Sequence, residues 1–374
     1  MPETGDVDNF DYSGRLVFNG LYSTEVLTDT EEQEEIDREV LRERLADRLY
    51  SYEEGRPGDP GKGYEEIDLE ELAQQAVEER RLEPGEAKVL FPVAEDVISQ
   101  KYIKEKYDTE ETVDSDGNAE ERTVRNYLTT YLFWDFPEYI FIKGAEQSAE
   151  TTAGDTRSAL APGSGGESIF SDGGATGVRL DSIGFSSHFL LWLVYQEYSN
   201  GNLANSIQIQ RITDGKTEAG DDDEQDFFGR SNQVGQSVDI VRSTPFIEAI
   251  SQNKKPSMLE GIFSLTPFNL KVKIYDHGKV QLKAQESLEQ RQPLRRILVS
   301  LYFLRHFSQL YEDWEDMDAG DRFVPPTFIQ ELHNIAEAEG IHIERSAEPI
   351  VTELLDRRGE SLSNWPDLNF GFGN

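Results

Sequence analysis

The chain has no cysteine, so disulfides and every thiolate-based metal or redox site are excluded. Lysine is scarce as well: 13 of the 36 basic residues are lysine and 23 are arginine, set against 73 acidic residues, for a formal charge of -37. Long apolar runs are also missing. The longest, Phe189 to Tyr195, falls far short of the roughly 20 residues that cross a bilayer, and no membrane association is expected. MPETGDVDNFDYSG at the start carries neither a basic nor an apolar segment, so an ordinary secretion signal is not expected there.

What remains is an acidic, lysine-poor chain with a hydrophobic fraction of 37%. Such a surface keeps a protein hydrated in molar salt, where a Debye length of about 3 Å screens its self-repulsion. The expectation is a cytoplasmic protein of a halophile of the haloarchaeal type. An acidic disordered chain is the rival reading. Aromatic residues at 10% and several well-spaced apolar runs argue against it.

The pattern along the chain predicts an α+β fold: a helical N-terminal unit, then a mixed, largely antiparallel sheet with packed helices. Residues 1–107 read as a helical region with one short strand near Arg15–Leu21. Its helices are Thr30–Tyr50, a second from Asp68 to the Pro84-Gly85 stop, and Ala94–Tyr107. Residues 108–144 read as an acidic linker and an aromatic hairpin, NYLTTYLFWDFPEYIFIKG. Residues 145–178, rich in Gly, Ser, Ala and Thr, read as a flexible loop. An α+β domain with a basic hairpin and helix is expected over 179–360, and an aromatic tail over 361–374.

One stretch breaks the charge pattern. Between Gln252 and Tyr311 the net charge is +6, which leaves -43 for the remainder, and six of the 13 lysines fall there. A three-residue turn at Asp276-His277-Gly278, with Gly278 left-handed, pairs Ile274 with Val280, Val272 with Leu282 and Leu270 with Ala284 on an apolar side. Lys273 then lies opposite Gln281 and Lys271 opposite Lys283. A two-residue turn scrambles both faces, so the hydrophobic pattern selects the longer one. Like charges directly across a strand pair are unfavourable, and their retention points to an anion above them. The candidate contacts are Lys254, Lys255, Lys271, Lys273, Lys279 and Lys283, with Tyr275 and His277 for stacking and Arg291, Arg295 and Arg296 extending the surface. The competing explanation is that these lysines protect a sheet edge or pair with the chain's own acidic segments at 217–226 and 108–121.

Other motifs carry less. TEAGDDDEQDFFGR (217–230) lacks the spacing of a calcium loop and reads as solvated. In DGKT, Gln210 stands where a phosphate loop needs glycine, and VDSDGNAEE puts threonine at both outer calcium-ligand positions. The histidines show no metal spacing. Gln281-Leu282-Lys283, with Glu260 or Asp276, matches a Q-x-K variant of the restriction-endonuclease-like core, though no helix glutamate can be placed with it. The expected function is a non-catalytic binding subunit of an assembly, holding nucleic-acid backbone through the lysine face. A structural or scaffold component docking an acidic protein is the alternative, and a magnesium-dependent nuclease the third. No metal or cofactor is expected.

Overall fold

The computed structural model describes residues 15–28, 38–113, 119–161, 175–199, 203, 206–218, 231–234, 240–251, 253–284, 293–338 and 347–368. The fold is α+β. Its contacts divide into two compact units, the first built on Leu16–Ile183 with Gln292–Leu301, the second on Gly184–Arg291 and Tyr302–Asn374 with Asp11–Arg15.

In the first unit the elements are β1 (Leu16–Thr28), α1 (Arg38–Ala46), β2 (Lys62–Ile67), α2 (Leu69–Glu78), α3 (Pro84–Asp96), β3 (Val97–Val113), β4 (Ala119–Asp135), β5 (Tyr139–Lys143), α4 (Glu146–Leu160) and β6 (Ala175–Ser182). The strands form an antiparallel sheet in the order β2-β3-β4-β5-β1-β6. Alternation in YLFWD and YIFIK places Leu132, Trp134, Ile140 and Ile142 on one face. Ala149, Ala153 and Leu160 of α4 pack there, with Leu45, Leu49, Tyr64 and Tyr102 in the same core. Asp68 caps α2, its side chain accepting from the amide of Glu71 at 2.8 Å.

Four expectations do not hold. Ala94–Tyr107 is not a helix: α3 ends at Asp96 and the rest is strand. Its Lys and Glu residues favour helix in isolation, but pairing with β4 over Val97↔Asp135 to Val113↔Ala119 overrides that preference. The described parts of 108–121 extend that pairing as strand rather than linker. Pro84 opens α3 at the first helical turn instead of stopping a helix. Within 145–178, α4 occupies Glu146–Leu160. Its inward positions are filled by Ala149, Thr152, Ala153, Thr156 and Leu160 at helical spacing, and the threonine hydroxyls donate back to carbonyls four residues earlier, Thr152 to Ser148 at 2.9 Å and Thr156 to Thr152 at 2.7 Å. A helix whose buried stripe is small and hydroxylated resembles a loop in composition.

The second unit contains α5 (Ser187–Tyr198), β7 (Ile207–Glu218), β8 (Ser231–Val234), α6 (Thr244–Ser251), β9 (Lys255–Leu265), β10 (Phe268–Tyr275), β11 (Val280–Ala284), the later turns of α7 (Pro293–Glu315), α8 (Ala319–Arg322), α9 (Pro326–Ala338) and α10 (Glu348–Arg358). Its sheet is antiparallel in the order β11-β10-β9-β7-β8. One face is filled by rings: Phe189 lies 5.0 Å from Tyr311, Phe263 5.7 Å from Phe303, and Phe185 5.2 Å from Phe307. Aromatic residues therefore supply much of the core. Ile240–Arg242 forms a 3-10 turn before α6. The acidic run from 219 to 230, the IHIERS segment and the end of the aromatic tail lie outside the described residues.

Candidate functional site

The β10–β11 hairpin has the register expected from its pattern: Ile274↔Val280, Lys273↔Gln281, Val272↔Leu282, Lys271↔Lys283 and Leu270↔Ala284. The turn closes with the Tyr275 amide donating to the Lys279 carbonyl at 2.9 Å and the Gly278 amide to the Tyr275 carbonyl at 3.1 Å. Gly278 has φ +83°, the left-handed region that favours glycine. Leu270, Val272, Ile274, Val280 and Leu282 are buried, so the charged side chains project from the opposite side of the strands.

On that side the lysines meet a carboxylate. β9 pairs with β10 so that Glu260 stands directly across from Lys273. Lys271 Nζ lies 2.6 Å and the Arg15 guanidinium 2.9 Å from Glu260 Oε1, and Lys273 Nζ lies 3.4 Å from Oε2. The Glu260 side chain is only 6% exposed, while that of Lys271 is 43% exposed. Burial alone raises a carboxyl pKa; here the Lys271 hydrogen bond and the charges of Arg15, Lys271 and Lys273 outweigh it and hold Glu260 below the ordinary range. Asp214 on β7 faces Glu260 across the next strand pair. Burial raises its pKa despite the Gly215 amide and the two nearby lysines.

The outer part of the face is more open. Lys283 is exposed and has no carboxylate partner among the described residues. At the turn, Lys279 Nζ sits 5.5 Å from the centre of the Tyr275 ring, His277 lies 5.3 Å from the same ring, and His277 Nδ1 is 3.1 Å from Asp276 Oδ1. The structure thus brings together Lys271, Lys273, Lys279, Lys283, Tyr275 and His277.

The other candidates are engaged elsewhere. Lys255 Nζ contacts both oxygens of Glu353, at 2.6 and 2.7 Å. Glu353 also accepts from Arg357 Nε at 2.9 Å and lies 3.1 Å from His188 Nε2. Burial works against its ionisation, but Lys255 and Arg357 hold it down to about 2. Lys254 is buried. Arg295 and Arg296 lie in the first unit, where Arg296 is buried and Arg295 grips Glu86, Nη2 to Oε1 at 2.6 Å and Nε to both oxygens at 3.1 Å. Arg291 lies outside the described residues. Pattern reading missed Arg15 as a partner. Drawing the β9–β10 register as well as the β10–β11 one was the signal that would have set Glu260 beside Lys273.

Chemistry finds little footing. In the Q-x-K arrangement, Glu260 has both oxygens engaged by cations and Asp276 sits in the turn beside His277. Among the described residues no three His, Asp or Glu side chains are grouped to hold a metal. A serine–histidine pair exists, Ser251 Oγ to His333 Nε2 at 2.8 Å, but Ser251 is 2% exposed and its hydroxyl is out of reach of a substrate carbonyl. No family model, no curated protein sequence and no solved structure matches this chain.

Proposed function

We propose that this chain is a non-catalytic component of a protein assembly, and that the lysine face of β10–β11 docks an acidic surface of a protein partner. The observation that carries this reading is the placement of Lys271 directly opposite Lys283, beside inner cations already wrapped around one carboxylate, Glu260. Cations arranged around a carboxylate suit a partner that brings a few more at fixed positions. A phosphate track suits them less, because two carboxylates, Glu260 and Asp214, stand within the same face. Polyanion affinity grows with the number of phosphates neutralised, with a salt slope of about -0.9 per phosphate on duplex DNA, and the lysines turned outward here are few.

Nucleic-acid backbone binding is the second reading. It is favoured by the turn, where Tyr275, His277 and Lys279 form an aromatic and cationic group of the kind on which bases stack. Fluorescence anisotropy with two labelled probes, a short oligoglutamate peptide and a single-stranded oligothymidylate, separates the two. Oligoglutamate should bind the full chain and weaken about tenfold or more, ~1.4 kcal/mol, in the Lys271→Glu/Lys283→Glu variant. Selective binding of oligothymidylate establishes the second reading, and binding of neither probe refutes both.

The chain is further proposed to work in the cytoplasm at high salt, on the strength of its -37 charge and low lysine content. Among the described residues no helix is long and apolar enough to cross a membrane. Its thermal midpoint should rise between about 0.15 and 1 M salt, as the Debye length falls from about 8 to about 3 Å. A midpoint that falls over that range contradicts salt adaptation.

A further inference from the structure

Among the described residues, the outer half of the β3–β4 ribbon has no neighbouring strand. β2 pairs β3 only over Ser99–Lys104, and β5 pairs β4 only over Tyr131–Asp135. Beyond Glu105 and Thr130 the two strands pair only each other among the described strands. At the base of this extension, a loop is tied down by Glu105, whose oxygens accept from Tyr52 Oη at 2.6 Å, Gly61 N at 2.9 Å, Tyr107 Oη at 3.0 Å and Gly55 N at 3.1 Å. Further out, Thr109–Glu111 and Ala119–Thr123 are all exposed, and at the base itself Asn126–Thr129 are exposed on β4, with Tyr127 at 54% and Leu128 at 44%. A two-stranded hairpin alone in water is marginally stable, so the exposed end of the ribbon, beyond the rung where Tyr107 and Arg125 meet the loop at Glu54 and Gly55, calls for a partner.

Its charge pattern says which one. Glu111 stands directly across from Glu121, whereas Glu110, across from Arg122, and Glu120, across from Thr112, belong to the opposite face. On β10–β11, Lys271 stands directly across from Lys283. Each is a directly opposed like-charge pair, an arrangement with Cβ atoms about 4.5–5.5 Å apart that is unfavourable alone; Glu260 compensates Lys271 in part and leaves Lys283 to an outside charge. The two are opposite in sign and matched in geometry. Laying one on the other relieves both.

We infer that the β3–β4 ribbon of one copy docks its Glu111–Glu121 pair on the Lys271–Lys283 pair of a second copy. This rests on the lysine face being a carboxylate-docking surface, and it names the occupant. The contact joins two different patches, so reciprocal exchange gives a closed dimer and successive exchange a ring or a chain.

Sedimentation equilibrium of the full chain tests this with two variants at exposed positions, Glu111→Lys/Glu121→Lys and Lys271→Glu/Lys283→Glu, each checked for folding by circular dichroism. The wild type should self-associate, each variant alone should sediment as a monomer, and an equimolar mixture should associate again because the complementary pairs are restored in swapped form. A monomeric wild type, or a ribbon variant that keeps the wild-type mass, overturns the inference. The oligoglutamate probe keeps the two failures apart: a monomer that still binds it loses only the second-copy occupant, whereas loss of binding removes the docking reading as well. Capture of oligothymidylate without self-association overturns both in favour of nucleic acid.

Discussion

Individual carboxylates in this protein act as anchors for cations and donors. Glu105, Glu260 and Glu353 each gather three or more, and Glu353 also touches a histidine whose behaviour is testable. His188 on α5 is pushed down to about 4, first by burial and then by the charges of Lys255 and Arg357, against the opposing pull of Glu353. Its ordinary value is 6.5, so between those two values the folded state binds fewer protons than the unfolded one. The associated stability is complete above pH 6.5 and is lost as pH falls toward 4. The loss is roughly 3 kcal/mol, at about 1.4 kcal/mol per pKa unit. Glu353, held at about 2, stays ionised throughout that window. Urea unfolding across the window should therefore show a decline in the wild type that is shallower in His188→Phe; equal slopes in the two proteins contradict this assignment.

Elements differ in how far they could be read from residues. The β10–β11 hairpin was fully legible, because strict alternation over LKVKIY and VQLKA leaves one register that buries Leu270, Val272 and Ile274 together, and Gly278 supplies the turn. Helix α7 was legible from Pro293 because its apolar positions recur at helical spacing; it runs on to Glu315. By contrast, α4 hid in a composition of Ala, Thr and Ser, since its buried stripe makes contact through small side chains and hydroxyls such as Tyr64 Oη to Thr156 Oγ1 at 2.7 Å. The β3–β4 ribbon hid for another reason. Its outer residues are charged on both faces, so no apolar alternation marks them as strand, and only the pairing of one arm with the other reveals them. Of the candidate site, the lysine pair followed from register alone. The carboxylate set among the lysines depended on Arg15 and on a second hairpin, contacts far apart in sequence that a local pattern does not carry.

At the scale of the whole molecule, the question is why a chain of charge -37 keeps six of its 13 lysines in one stretch. Arg15, Lys271 and Lys273 answer part of it by holding Glu260 within the fold. Lys283 and the exposed part of Lys271 are left facing outward, and the ribbon presents the matching acidic pair. Net repulsion between copies is confined to about 8 Å at physiological ionic strength, which leaves short-range contacts to decide association. If the face docks an external carboxylate, Glu260 competes with it for Lys271. The most direct measurement is the affinity of the Glu260→Gln protein for oligoglutamate, compared with wild type at the same salt. Docking predicts tighter binding, by about tenfold if one charge-assisted contact is released, ~1.4 kcal/mol; unchanged or weaker binding in a folded Glu260→Gln protein contradicts it.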